Sequence, residues 1–552
     1  MKRVAIGIAA ALTATASLAA DGDVPAAAKA GYATIAESDL RADLTFLASD
    51  ALQGRMSLQP GDEASVQWVA AEFAKAGLQP GAVGADGRPS FFQPVPLVEY
   101  RAASAANTLT LEVGGEAKIW KAPDFLGGYR EDVDIAAPLA FAGYGVTAPG
   151  VGYDDYRGLD AKGRIVVVFE HEPQENDAKS RFGGTGNTRH ATNRVKALNA
   201  QAHGALALVV VAEPNRKHPS NIERVNRIGG SAKRVPPLPS QALVDDELHI
   251  PVLTVSDAVG AALLAGAGAS PQELQAAIDR DLTPQGRAIP GATVRLHLEN
   301  TVRTRGASAN VVGLLPGSDP GLAAETVILS AHHDHDGFNG PEIWHGADDN
   351  GSGTVGVVEL ARAFMANASK GKGVRPKRSI LFVVFAAEER GLLGSYYMAM
   401  HPLRPLATTR AMINFDMIGR NEAASEQTNG LIEIPADTTN RLNVIGGGYS
   451  PDLDRTITQA NKGIGLDLDH RFDRENALNV FFRSDQFPFV LKDVPAVWFN
   501  TGFHPDYHHT TDTADKINYA KMARIVRLAY LSAWKLADGA TPPAFVSDPG
   551  GE

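Results

Sequence analysis

His332, Asp349, the pair Glu388 and Glu389, Asp416 and His508 are residue types that bind metal ions, and each follows or closely neighbours an apolar run that reads as a buried strand. Groups distant in sequence can then meet along one edge of a sheet, where open α/β sheets bind ligands. His332 directly follows the apolar run Thr326 to Ser330, so one ring nitrogen can face a metal while Asp334, two residues on, holds the other ring N–H. Asp349 lies in the glycine-rich stretch Gly346 to Gly353, ahead of a helix; small residues permit close backbone approach and the helix dipole favours a carboxylate there, which places Asp349 to bridge two cations. Glu388 and Glu389 follow the strand Ile380 to Phe385. Adjacent carboxylates on an extended segment diverge, so one can bind metal while the other faces a bound water as a base. Asp416 ends the run Met412 to Phe415, and His508 lies in Asp506 to Thr510. Taken singly, each motif reads equally well as a turn, a cap or a solvated loop, and His333, His335 and Asp336 are assigned to such a loop. Taken together, the order His, Asp, Glu-Glu, Asp, His yields two metals with mixed imidazole and carboxylate ligands sharing one aspartate, the composition of hydrolytic zinc sites. The chain has no cysteine, so every donor must be nitrogen or oxygen.

The elements that must position these groups follow from periodicity. After about Ala307, strands Thr326 to Ser330, Ser379 to Phe385, Met412 to Phe415 and Ala496 to Phe499 alternate with helical patterns such as Gly353 to Met365, which implies a three-layer α/β fold around a largely parallel, doubly covered sheet. Between Asp39 and Gly81 two amphipathic helices are expected, the second stopped by Gly77; from Phe91 to Ile119 the runs alternate as strands do. A separate β-rich module is expected over residues 131–290, with strands Arg164 to Phe169, Ala205 to Val211 and Ile250 to Val255, a helix near Asn193 to Ala202, no dense cluster of ligand residues, and a long surface loop from Asn215 to Leu243.

At 552 residues the chain exceeds what one core usually supports. The division expected is residues 1–20 as a secretory leader, 21–130 and 291–540 as the two parts of the main domain around 131–290, and 541–552 as a tail. The leader reads from Lys2 and Arg3, the apolar stretch Val4 to Leu12 and the small residues up to Ala20. It implies an exported protein, periplasmic or extracellular, and no other stretch is long and apolar enough to span a membrane. A net charge of −11 without a Lys/Arg cluster gives no footprint for nucleic acid.

With these motifs in view the chain resembles the secreted zinc aminopeptidases of the leucyl aminopeptidase and aminopeptidase S type, relatives of glutamate carboxypeptidase. Leu47 to Asp50, Leu52 to Arg55 and Gly77 to Pro80 resemble that family's N-terminal helical part; Phe141 to Gly145, Tyr153 to Tyr156 and Gly158 to Ile165 resemble its inserted protease-associated domain; Ser484-Asp485 and Asp506 to His508 match the core in order. The resemblance implies a zinc exopeptidase-like fold and two zinc ions per chain, one held by His332 and Asp416, the other by Glu389 and His508, bridged by Asp349. Glu388 would be the general base, and the peptide Asp349-Asn350 would be cis. His508 is preferred to His509 because the family pattern has a Tyr-His followed four positions later by an acid, here Asp512. Gln486 stands where the family has a histidine, which removes no ligand. The implied activity is release of N-terminal residues from peptide substrates by a zinc-activated water. A carboxypeptidase or dipeptidase, or a single-zinc glutaminyl cyclase, is the alternative on the same fold. A non-catalytic binding protein on a peptidase scaffold is the remote one.

Overall fold

The computed structural model describes residues 24–227, 233–369 and 373–547. The expected leader lies outside them. Two large sheets organise the chain, each with its own apolar core. In the first, the spatial order runs Ser240–Leu243, Phe92–Ala102, Asn300–Leu315, Ser379–Phe385, Thr326–His332, Thr409–Phe415, Ala496–Asn500, Arg441–Ile445 and Asp467–Asp469. The four strands from Ser379–Phe385 to Ala496–Asn500 are parallel, and the pairings that join them to the flanking strands are antiparallel.

Alternation along these strands explains the layers. Val327, Leu329 and Ala331 point into one core, where helices Gly353–Ser369, Pro60–Ala76 and Tyr519–Asp538 pack; Ile328 points into the other, under the helix Leu393–Met400. Because both faces are covered, the strands read as continuous apolar runs rather than as alternating ones. Pro60–Ala76 begins with proline and stops at Gly77, whose φ of 96° supplies the left-handed cap.

The second sheet runs Glu116–Trp120, Thr108–Val113, Arg287–Leu298, Val133–Phe141, Ile165–Phe169, Ala207–Val211, Val252–Val255 and Phe125–Gly128. It reaches outside residues 131–290: Thr108–Val113 pairs with Arg287–Leu298, and Phe125–Gly128 closes the far edge. The stretch from Asn215 to Leu243 is not the surface loop its composition suggests. It holds the helix Asn221–Arg227 and the strand Ser240–Leu243, which pairs with Phe92–Ala102 of the first sheet. Arg224 and Gln241 within it are buried because distant groups satisfy them, Arg224 through the carbonyls of Asn476 and Ala477 and Gln241 through Ser57. No helix among the described residues is long and apolar enough to cross a membrane.

Candidate active site

The parallel strands end together. His332 pairs with Phe385 and Ser330 with Asn414 in adjacent strands, while Phe415 pairs with Phe499 in the next. His332, Glu388 and Glu389, Asp416 and the loop after Asn500 that carries His508 therefore emerge at one carboxyl edge, although 176 positions separate the two histidines (508 − 332). Asp349 enters from the turn before the helix Gly353–Ser369, through a cis peptide to Asn350.

One oxygen of Asp349 lies 3.6 Å from His332 Nε2 and the other 3.1 Å from His508 Nε2. Asp416 Oδ1 and Glu388 Oε2 stand 3.7 and 3.6 Å from His332 Nε2, and Glu389 Oε2 stands 3.3 Å from His508 Nε2. Two ligand groups result, His332 with Asp349 and Asp416, and Asp349 with Glu389 and His508, joined by the shared aspartate. His508 faces the cluster, whereas His509 turns its Nδ1 to the carbonyl of Tyr507 at 2.8 Å.

Hydrogen bonds fix each group. Ser484 donates to Asp416 Oδ2 at 2.6 Å and accepts from Asn414, and Asp512 accepts the backbone N–H of Asp348 and Asp349. Asp334 faces His332 Nδ1 as expected, its backbone carbonyl 3.3 Å and its carboxylate 3.6 Å from that nitrogen, and the carboxylate also accepts the backbone N–H of Glu388 and Glu389. Those two glutamates occupy a single helical turn after Ala387, not an extended segment, and diverge because they lead towards different histidines.

His333, His335 and Asp336 are not a solvated loop; all three are fully buried. His333 bonds Ser65 and the carbonyl of Ala309, His335 Nδ1 lies 2.6 Å from Glu389, and Asp336 Oδ2 lies 2.8 Å from His508 Nδ1 while its other oxygen pairs with Arg390. Arg55 was not singled out by its residue type. Its guanidinium, fully buried, donates to the carbonyls of Leu47, His333, His345 and Gly346 and so anchors both loops that carry the ligands. Burial lowers its pKa to about 10, opposed by the charges of Asp334, Asp512, Asp349 and Glu389.

The electrostatics favour cations. Burial, then the neighbouring Glu389 carboxylate, lifts Asp349 to about 6; burial, with Asp336 adding and His508 opposing, lifts Glu389 to about 7. Burial pushes Glu388 well above the usual carboxylate range against the pull of His332, with Asp416 and Glu389 adding to the rise. His332 Nε2 is buried with no hydrogen-bond partner among the described residues. Its 3.6 to 3.7 Å spacing from three carboxylates is too long for hydrogen bonds. It suits groups sharing an ion, since bonds of about 2.0–2.2 Å set tetrahedral neighbours roughly 3.3–3.6 Å apart. The donors thus fit zinc. They open onto a cavity of about 610 Å³ lined by Met417, Phe482, Trp498 and Phe503 of the core and by Asn193, Asn221 and Arg224 of the second module.

Residues 310–532 match the model of peptidase family M28, and residues 135–263 match that of the PA domain. The chain is 28% identical over 288 residues to aminopeptidase YwaD of Bacillus subtilis, covering 51% of this chain and 46% of that one. It is 27% identical over 280 residues to mouse aminopeptidase NAALADL1, covering 44% and 35%. The chain thus spans less than half the length of either relative. The fold matches that of an aminopeptidase from Aneurinibacillus sp. strain AM-1 with a TM-score of 0.50 at 20% identity, over 94% of this chain and 98% of that one. The strands before and after the second module complete one sheet whose carboxyl edge carries the ligand cluster, and on these matches the chain carries a domain of peptidase family M28, a family of zinc metallopeptidases, together with a PA domain.

Proposed function

We propose that the protein is an exported aminopeptidase that holds two zinc ions, one on His332 and Asp416, the other on Glu389 and His508, with Asp349 between them. The observation that carries this is the split of Asp349, one oxygen towards each histidine. Zinc bound there would supply Lewis acidity towards a peptide carbonyl and lower the pKa of a water. Glu388 is the proton carrier. Its buried carboxylate holds protons more tightly than an ordinary glutamate, so Oε2 can take a proton from the attacking water and hand it to the leaving amine. The walls formed by Met417, Leu478, Phe482 and Phe503 suit an apolar side chain at the end of the peptide.

Two measurements test the reading. Aminoacyl nitroanilides should be cleaved, and activity confined to N-terminally blocked or glutaminyl peptides would remove the aminopeptidase claim in favour of the carboxypeptidase or cyclase alternatives. Glu388→Gln should keep its metal and lose at least about 10²-fold in kcat, because a proton acceptor is removed and not a ligand; near-normal turnover of a metal-loaded variant contradicts the assigned role.

A further inference from the structure

We propose that His171, Glu175, Glu213 and His218 form a further divalent-cation site in the inserted module, selective for a transition metal of the zinc class, which ties that module to the peptidase core beside the catalytic cavity. The module was expected to hold no dense ligand cluster, yet these four buried side chains bring their donor atoms within 4.8 Å of one another. Strands Ile165–Phe169 and Ala207–Val211 are parallel neighbours with Phe169 opposite Val211. His171 and Glu213 each lie two residues beyond that last pair, so the carboxyl ends of two strands deliver one imidazole and one carboxylate side by side. The following loops return Glu175 and His218.

The spacing is that of a coordination sphere. His171 Nδ1 lies 3.0 Å from His218 Nε2, 3.0 Å from Glu175 Oε2 and 3.2 Å from Glu213 Oε1, and His218 Nε2 lies 2.6 Å from Glu175 Oε1. Bonds of about 2.0–2.2 Å around a tetrahedral zinc separate neighbouring donors by roughly 3.3–3.6 Å, so small shifts accommodate the ion. A ring nitrogen has either one proton or one lone pair, so His171 Nδ1 cannot satisfy three acceptors as a donor. A central cation satisfies all four groups together. Glu213 gives an independent indication. It is 1% exposed, and apart from the approach of His171 neither of its oxygens makes a hydrogen bond to any described group. Leaving a buried carboxylate in that condition is costly. Two carboxylates and two neutral imidazoles carry a charge of −2, which a divalent ion cancels, and the buried carboxylates of Glu170 and Glu172 nearby add to the attraction.

The outer contacts fit the same assignment. His218 Nδ1 is 3.0 Å from the carbonyl of Pro219, which can accept its N–H and leave Nε2 as the donor to metal. Arg224 stands 3.1 Å from the same ring nitrogen, but as a donor it has no acceptor there in this tautomer; its hydrogen bonds go to Asn221 and to the carbonyls of Asn476 and Ala477 in the core. His171 Nε2 faces the amide nitrogen of Asn479 at 2.8 Å. With metal on Nδ1 this nitrogen carries a proton, so the assignment requires Asn479 to turn its oxygen towards it. Asn187 is placed to receive the displaced N–H: its amide nitrogen now donates to Asn479 at 3.2 Å while its own oxygen has no partner. Both His171 and Asn479 line the cavity above the catalytic carboxylates, so the ion would brace the wall where module and core meet.

Anomalous diffraction from crystals of the full chain grown with micromolar zinc tests this directly. A zinc-edge peak among these four side chains, additional to any at His332, Asp349 and His508, is expected. Catalytic-site peaks with none here would overturn the proposal and leave His171 as a protonated partner of the two glutamates. In solution, Glu213→Gln should retain one zinc equivalent fewer than the wild type after identical dialysis, and zinc should raise the Tm of the chelator-treated wild type more than that of the variant. Equal metal contents would also overturn it, and the crystallographic result on the wild type decides the matter if the variant does not fold.

Discussion

Asp336 carries the sharpest consequence of the site's architecture. Its Oδ2 lies 2.8 Å from His508 Nδ1, an ion-pair contact whose negative charge favours the proton on that nitrogen and leaves Nε2 to face Asp349 and Glu389. Asp336→Asn preserves the shape and removes the charge. A hydrogen bond to a charged group contributes about 1.5–3 kcal/mol against about 0.5–1.5 for a neutral pair, so the variant loses roughly 1–1.5 kcal/mol of preference for the ligating tautomer. That alone is about a tenfold change. An asparagine that presents its N–H₂ would invert the tautomer, which extends the expected loss of metal affinity to about 10–100-fold. The loss should fall on one ion only, because His332 is held by the carbonyl of Asp334 and Asp416 by Ser484, neither of which touches Asp336. Metal retention against a graded chelator series, read by elemental analysis, should show one of the two zinc ions of the catalytic edge leaving Asp336→Asn at lower chelator concentration while the remaining zinc leaves as in the wild type. Asp336 also pairs with Arg390, so Arg390→Met is the control: it keeps the carboxylate and should retain both ions. Equal weakening of both ions, or unchanged retention in Asp336→Asn, refutes the reasoning.

Arg55→Met should destabilise the fold by at least about 3 kcal/mol in urea denaturation, because four carbonyls lose a charged donor in a dry interior; a loss below about 1 kcal/mol contradicts the anchoring role. Glu325 is held down from an ordinary 4.5 to about 2 by its hydrogen bond to Arg410, against some burial and with Arg378 assisting. Its folded pKa lies below its unfolded one, so the unfolded chain binds the extra proton, and the stability it contributes is complete above pH 4.5 and lost as pH falls through that value towards about 2. Glu325→Gln should therefore flatten the acid limb of a Tm-against-pH curve in that window, and an unchanged slope counts against the pairing.

What the sequence reveals here depends on how far away the partners are that make a residue buried. His332 and Asp416 end apolar strands with at most one intervening residue, so strand direction alone puts them at the edge, and the Glu388-Glu389 pair is legible for the same reason. Five successive polar residues from His332 to Asp336 look solvated, because what buries the last of them is Arg390 and His508, and what carries their backbone is Arg55, 278 positions before His333. No local pattern encodes those partners. The His171 cluster is a different case. Its signal is present in the chain as the same device that marks the catalytic groups: a five-residue apolar parallel strand followed within two residues by a histidine or a glutamate, twice over, at Phe169 and at Val211. Treating the second module as a passive β-rich insertion hides that signal, since its ligand residues are 47 positions apart and dispersed among other acids. The physical rule is indifferent to which sheet it acts on. Wherever parallel strands end side by side, their next residues share one small volume, and if those residues are imidazoles and carboxylates that volume attracts a cation whether or not it performs catalysis.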